Sequence, residues 1–213
     1  MDPLWFSWIS VSSAALPIVM GFFQWRQLEN NLKPLLWVSV ISLIADAISL
    51  VLIRFHSSTW PVLNLFYIVQ LVAFFMALGH QRSIPRLRIF FYGCLCFAAF
   101  NFFFIQTPIV LNTYTAYAGG ILMIISSLAF LYQLMNELPG ENLQALPLFW
   151  LAFGVLIYYG GTLFLFLFNN YLVEHLPESH YTIWVLHSAL NITKNVFLFT
   201  ALWVNYKSKT SPL

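Results

Sequence analysis

Seven apolar stretches, almost free of charge, follow one another along the chain at about 4–24, 35–54, 60–79, 88–106, 113–135, 147–169 and 181–204. A helix needs about 20 apolar residues to cross a hydrocarbon core about 30 Å thick. Inside that core every backbone polar group must be satisfied within its own helix. The pattern therefore predicts seven transmembrane helices. The joints between them, "QLENNLKP", "RFHSST", "GHQRSIPRLR", "IQTPIVLNT", "NELPGENLQALP" and "NNYLVEHLPESH", are short and polar or turn-rich. Consecutive helices are then antiparallel, and the expected fold is all-α, one seven-helix transmembrane bundle over residues 1–213. Asn101 and Pro108 blur the outer end of the fourth span.

Composition agrees. Charged residues make up 8% of the chain and hydrophobic ones 61%, whereas a soluble domain carries about 25% charge. A net charge of +2 is too small to imply a nucleic-acid partner. The start, "MDPLWFSW", holds an acid where a secretory signal has basic residues, so the first helix is expected to stay in the protein. Cys94 and Cys96 lie two apart on one predicted helix, point in different directions and read as inert core thiols.

The distribution of charge sets an orientation. Arg26, Lys33, Arg82, Arg86, Arg88, Lys207 and Lys209 fall on one side of the seven spans, and Arg54 alone on the other. By the positive-inside rule the N-terminus is outside and the C-terminus cytoplasmic. Tryptophan favours the two interfaces. Trp5, Trp8, Trp60 and Trp184 fall near outer ends, and Trp25, Trp37, Trp150 and Trp203 near inner ones.

Two segments look alike. Residues 31–55 and 144–168, displaced by 113, share Pro34/Pro147, Leu35/Leu148 and Trp37/Trp150. At a displacement of 124, Trp60 meets Trp184 and Gln70 meets Lys194. Helices 1–3 and 5–7 would then be parallel repeats with helix 4 as linker, an arrangement some transporters use.

Polar residues inside spans carry the functional information, because burying them in lipid is costly. Lys194 lies ten residues from the inner end of the seventh span, about 15 Å deep, at the bilayer centre. Asp46, the only acid in any span, lies at about the same depth on the second. Intramembrane charges normally face the interior and pair, so an Asp46–Lys194 bridge is expected, with each single charge removal more damaging than the double. His187, Asn191 and Lys194 are spaced four and three and share a helix face; Ser188 and Asn195 widen that stripe. The third span offers Asn64, Tyr67 and Gln70, and the sixth Tyr158, Tyr159, Gly160, Gly161 and Thr162. Together these predict a polar pocket among helices 2, 3, 6 and 7. The bland alternative is a fixed bridge that only sets helix packing.

Several chemistries find weaker support. A lysine in a seventh helix invites a retinal Schiff base, but Leu190 stands where microbial rhodopsins have an aspartate, and their third-helix Arg/Asp pattern is missing. His175, Glu178, His180 and His187 cluster near the outer end of helix 7, and histidine with carboxylate suits zinc. The paired-histidine motif of seven-helix ceramidase-type amidases is nevertheless absent, as is the proline-glutamine signature of seven-helix sugar carriers. Paired intramembrane carboxylates, a Gly-x-Ser-x-Gly elbow and a phosphate loop are also missing. No cofactor is implied, and nothing obliges the chain to be an enzyme.

At "LPLFWLAFGVLIYYGGTLFLFLFNNYL" and "WVLHSALNITKNVFLFTALW" the sequence resembles a group of small seven-helix inner-membrane proteins of Bacteroidota-type bacteria. Their sixth helix opens Pro-Leu-Phe-Trp and their seventh reads Trp-x-x-His-Ser-x-x-Asn-x-x-Lys-Asn. The matching positions here are Pro147, Leu148, Phe149, Trp150, Tyr158, Gly161, Thr162, Trp184, His187, Ser188, Asn191, Lys194 and Asn195. In that group a glutamate often stands at the place of Gln70. The resemblance implies a bacterial inner-membrane location. Some members are encoded near signalling histidine kinases, which hints at sensing. Three uses of the pocket follow as expectations. The first is a receptor-like sensor binding a small ligand, lipid headgroup or proton and acting through a membrane partner or homo-oligomer; the second is a small-solute or proton-coupled transporter; the third is a membrane lipid enzyme.

Overall fold

The computed structural model describes residues 4–79, 85–107, 109, 112–138, 142–175 and 179–210, without the side chains of residues 4, 79, 85, 86, 166, 168–175, 179–181 and 184. The architecture among these residues is entirely helical: α1 (Leu4–Ser13), α2 (Ala15–Phe23), α3 (Lys33–Arg54), α4 (Trp60–Gly79), α5 (Pro85–Phe100), α6 (Thr113–Glu137), α7 (Pro147–His175) and α8 (Ser179–Thr210). The segments Trp5–Phe23, Lys33–Arg54, Trp60–Leu78, Leu87–Ile105, Thr113–Glu137 and Pro147–Leu165 are long and apolar enough to cross a membrane. Six spans make a multi-pass membrane protein. α8 is longer, at 32 residues, but the polar stripe through its middle keeps it out of that set.

The helices start and stop where local chemistry requires. Pro34 sits in the first turn of α3 and Pro147 opens α7, positions where a missing N–H costs nothing. The first span is broken rather than continuous. Pro17 has no N–H to give the Ser13 carbonyl, so the chain breaks between α1 and α2 at Ala14, whose N–H reaches Val11 O at 3.2 Å instead. The fourth span ends in a π turn, Asn101–Ile105, closed by the Gln106 N–H to the Asn101 carbonyl at 2.9 Å. The joint after the sixth span is shorter than expected, because α7 runs on to His175.

The rods form a ring. α2 packs on α3, α3 on α4, α4 on α6, α6 on α7, α7 on α8, and α8 closes back onto α1 and α2. α5 stands outside the ring against α4 and α6. Lipid is as apolar as a leucine side chain, so the hydrophobic effect does not hold such rods together; close packing and interhelical hydrogen bonds do. The tightest seam, α7 against α8, shows this. A Cβ on Gly154 would lie 2.5 Å from Phe197 Cβ, and one on Gly161 2.5 Å from Leu190 Cδ2. At Gly154 the atom met is a Cβ fixed to the α8 backbone, so glycine sets the close approach there; at Gly161 the Leu190 side chain fills the space. Gly160, paired with Gly161 in the sequence reading, faces open space instead. The surface is inverted relative to a soluble protein. Val19, Ile89, Phe103 and Phe104 are exposed, while Gln24, Gln70, Lys194, Asn195 and Asn205 are buried.

Candidate functional site

α8 carries Lys194 into the ring, where it is only 3% exposed. Its ammonium lies over the Tyr158 ring, 4.9 Å from the centroid. Such an attraction contributes about 2 kcal/mol once the cation is desolvated. Asp46, half-buried on α3, is within electrostatic reach of this ammonium. The expected contact bridge is not formed. An ion pair within 4 Å does form between Lys209 and Glu29, on the surface at 3.5 Å. The ring order supplies the reason. α3 and α8 are not among the closely packed helix pairs; α2 packs on both, and α1 bonds to α8 beside the lysine through Ser13 and Asn195. Matching depth along two helices brings charges level, but does not bring them together.

Around the lysine is an aromatic and amide cluster. Tyr158 and Tyr159 follow each other on α7, yet both are buried. Their rings meet edge to face with centroids 5.2 Å apart. Tyr158 also faces the His187 ring at 6.3 Å. Tyr159 is wedged between Tyr67 at 6.0 Å and Phe74 at 6.2 Å, both from α4. Gln70, almost wholly buried, donates its amide Nε2 to the Tyr159 hydroxyl at 3.3 Å. The structure therefore brings together Tyr67, Gln70, Tyr158, Tyr159, His187 and Lys194, with Asp46 opposite.

Other predicted site residues have different tasks. Tyr67 donates its hydroxyl to the Ala116 carbonyl at 2.9 Å, tying α4 to α6. Asn64 accepts from the Asn112 N–H at 3.1 Å and fixes the start of α6. Thr162 returns its hydroxyl to the Tyr158 carbonyl at 2.8 Å, within its own helix. Asn191 donates to Ser10 Oγ at 2.9 Å and Asn195 to Ser13 Oγ at 2.8 Å. These asparagines face α1 rather than the lysine, so the expected single stripe is two. At about 100° per residue, His187 and Lys194 nearly coincide on the helix wheel, while Asn191, Asn195 and Ser188 step progressively round it. Ser188 is buried. His175, Glu178 and His180, the expected metal candidates, lie outside the described residues or side chains. No metal-binding group is present among the described residues.

The sequence reading missed Ser10, Ser13 and Gln24. Ser10 and Ser13 are spaced three apart in an apolar span, and that spacing was the available signal. Gln24 donates to the Leu202 carbonyl at 2.8 Å and accepts from Asn205 at 2.9 Å. These bonds fasten the C-terminal end of α2 to the C-terminal part of α8.

No protein family, curated protein or solved structure matches this chain. Its functional reading rests on the residues themselves.

Proposed function

We propose that this chain is a receptor-like or sensory protein of a bacterial inner membrane, with α8 as a seventh span, the N-terminus outside and the C-terminus in the cytoplasm. The charge asymmetry, seven basic residues on one side against Arg54 on the other, supports that orientation. A single observation carries the sensory reading: Lys194 is a buried cation held over a tyrosine ring, with no carboxylate in contact among the described residues. A charge at that depth is costly unless paired. A small carboxylate or phosphate, or a lipid headgroup bearing one, would relieve that cost on reaching the ammonium; so would an inward shift of Asp46. Either event changes the packing of α8 on α7. Short loops leave the signal to pass through the helices themselves, to a membrane signalling partner or a second copy.

The test uses the full chain in lipid nanodiscs and a probe panel of acetate, succinate, glutamate and inorganic phosphate, read as thermal shifts by intrinsic fluorescence. At a hundred times its dissociation constant a ligand stabilises by about 2.7 kcal/mol. One of the probes should raise the melting temperature of the wild type and not that of Lys194→Met. A shift that survives Lys194→Met moves the site elsewhere.

A second reading, a small-solute or proton-coupled transporter, draws on one further relation. The displacements of 113 and 124 that relate the two similar segments place Asp46 with Tyr159 and Gln70 with Lys194. The hydrogen-bonded Gln70–Tyr159 pair is then the counterpart of Lys194–Asp46. Two related halves round one polar centre would suit alternating access. Uptake of the stabilising probe into proteoliposomes would favour this reading over sensing.

A further inference from the structure

At the far end of α2 and α8 from the lysine's neighbours lies a separate cavity of about 380 Å³. Gln24 gives the lining a buried polar group. Gln24, buried, is locked by the Leu202 carbonyl and by the Asn205 amide, itself wholly buried. Its walls include Phe23 and Tyr206, which meet edge to face at 5.5 Å, together with Trp25. Its rim carries Arg26 and Gln27, both exposed.

The charges around this cavity are unevenly matched. Glu29 is taken by Lys209 at 3.5 Å. Lys33 is held by Asn30 Oδ1 at 2.7 Å and lies over the Trp25 ring. Arg26 makes no such ion pair among the described residues, and it is the charged residue in the cavity lining. Phe22 and Phe23, which line the cavity, and Val19, one turn earlier on α2, are exposed. A guanidinium above an aromatic wall, at the level where a membrane span ends, and an apolar strip running from there into the bilayer: these features suit a molecule with an anionic head and long apolar tails.

We infer that the α2–α8 cavity binds the phosphate headgroup of an anionic phospholipid of the adjoining leaflet, with Arg26 on the phosphate and the acyl chains along Phe22 and Val19. Basic pockets between transmembrane helices on the cytoplasmic side have this use, and the planar guanidinium fork fits phosphate oxygens two at a time. Free inorganic or sugar phosphate shares the head chemistry, but would leave the apolar strip without a role.

Native mass spectrometry of the full chain, released from detergent with added dioleoylphosphatidylglycerol or dioleoylphosphatidylcholine, tests this. One phosphatidylglycerol should bind more tightly than phosphatidylcholine. Arg26→Gln should weaken that binding about fivefold to tenfold. Arg26 is exposed and Arg26→Gln should leave the melting temperature unchanged without lipid, which separates loss of binding from loss of fold. Arg54→Gln removes the same charge at the opposite end and should leave binding intact. Equal affinity of Arg26→Gln and wild type overturns the inference, as does an equal loss in Arg54→Gln. Displacement of the lipid by glycerol 3-phosphate would assign the cavity to a soluble phosphate and overturn it too.

Discussion

The two seams that flank the polar centre, α3 on α4 and α7 on α8, are built differently although their sequences start alike. Both α3 and α7 open with Pro-Leu-x-Trp, at Pro34 and Pro147. Further in, where α7 has Gly154 and Gly161, the positions 113 earlier on α3 hold Ile41 and Ile48. The glycines let α8 come close to α7, and Lys194 is fully enclosed against Tyr158. Asp46 on α3 stays half-buried, and Ile48 is itself exposed. The neutral pair across the centre, Gln70 and Tyr159, is in hydrogen-bond contact, whereas the charged pair is not. Tight packing thus fixes the cation, and the anion keeps its distance.

The most direct way to break this contrast is to remove what makes the second seam tight. Gly161→Val would force a side chain into Leu190, and overpacking of this kind costs about 1–3 kcal/mol. Gly160→Ala, one residue away and facing open space, should cost under about 0.5 kcal/mol. Thermal melts of both variants in nanodiscs check the pair; equal losses would mean that α7 and α8 do not approach as closely as described.

Next in size is the partnership of the lysine. A double-mutant cycle of Lys194→Met with Tyr158→Leu should give a coupling of about 1–2 kcal/mol. The cycle of Lys194→Met with Asp46→Asn should give a smaller coupling than the tyrosine cycle, because the two charges feel each other without a contact ion pair. A larger Asp46 coupling in the ligand-free protein would show a closed bridge and erase the difference between the two cross-centre pairs.

Smaller effects sharpen the comparison. Tyr159→Phe removes the acceptor of the buried Gln70 amide and should cost about 1 kcal/mol, measured by the same melts. Asn191→Ala, which cuts one of the two ties from α8 to α1, should cost about 0.6 kcal/mol, the usual size of an interhelical hydrogen bond in a membrane. If Asn191→Ala proves as damaging as Gly161→Val, α8 is held chiefly by α1 and the glycine seam is secondary.

Much of the fold was legible in advance. The expected span at 35–54 is Lys33–Arg54, that at 60–79 is Trp60–Leu78, and that at 88–106 is Leu87–Ile105. Hydrocarbon thickness sets span length, and any polar interruption is visible in a linear scan. The break at Ala14 was within reach of the same scan, since Pro17 stands in plain view, but the first span was read as unbroken. The candidate site was legible only as a set of residues. Tyr158, Tyr159, Gln70, His187 and Lys194 do gather. Which of them touch was not legible, because depth along a helix says nothing about which helix stands beside it.

What the sequence alone determined is one-dimensional: where helices begin and end, how deep each polar group lies, and which residues share a face. These depend on local chemistry and on the thickness of a solvent slab. Tertiary structure decided the rest. It packed α8 closely on α7, α1 and α2 rather than on α3, and left Asp46 and Lys194 without a contact bridge. It turned Asn191 and Asn195 toward Ser10 and Ser13, and it gave the lysine a tyrosine ring in place of a carboxylate. The physical reason is that rods in lipid choose neighbours by shape and by hydrogen bonds spread over many residues, and no single stretch of the chain contains that choice.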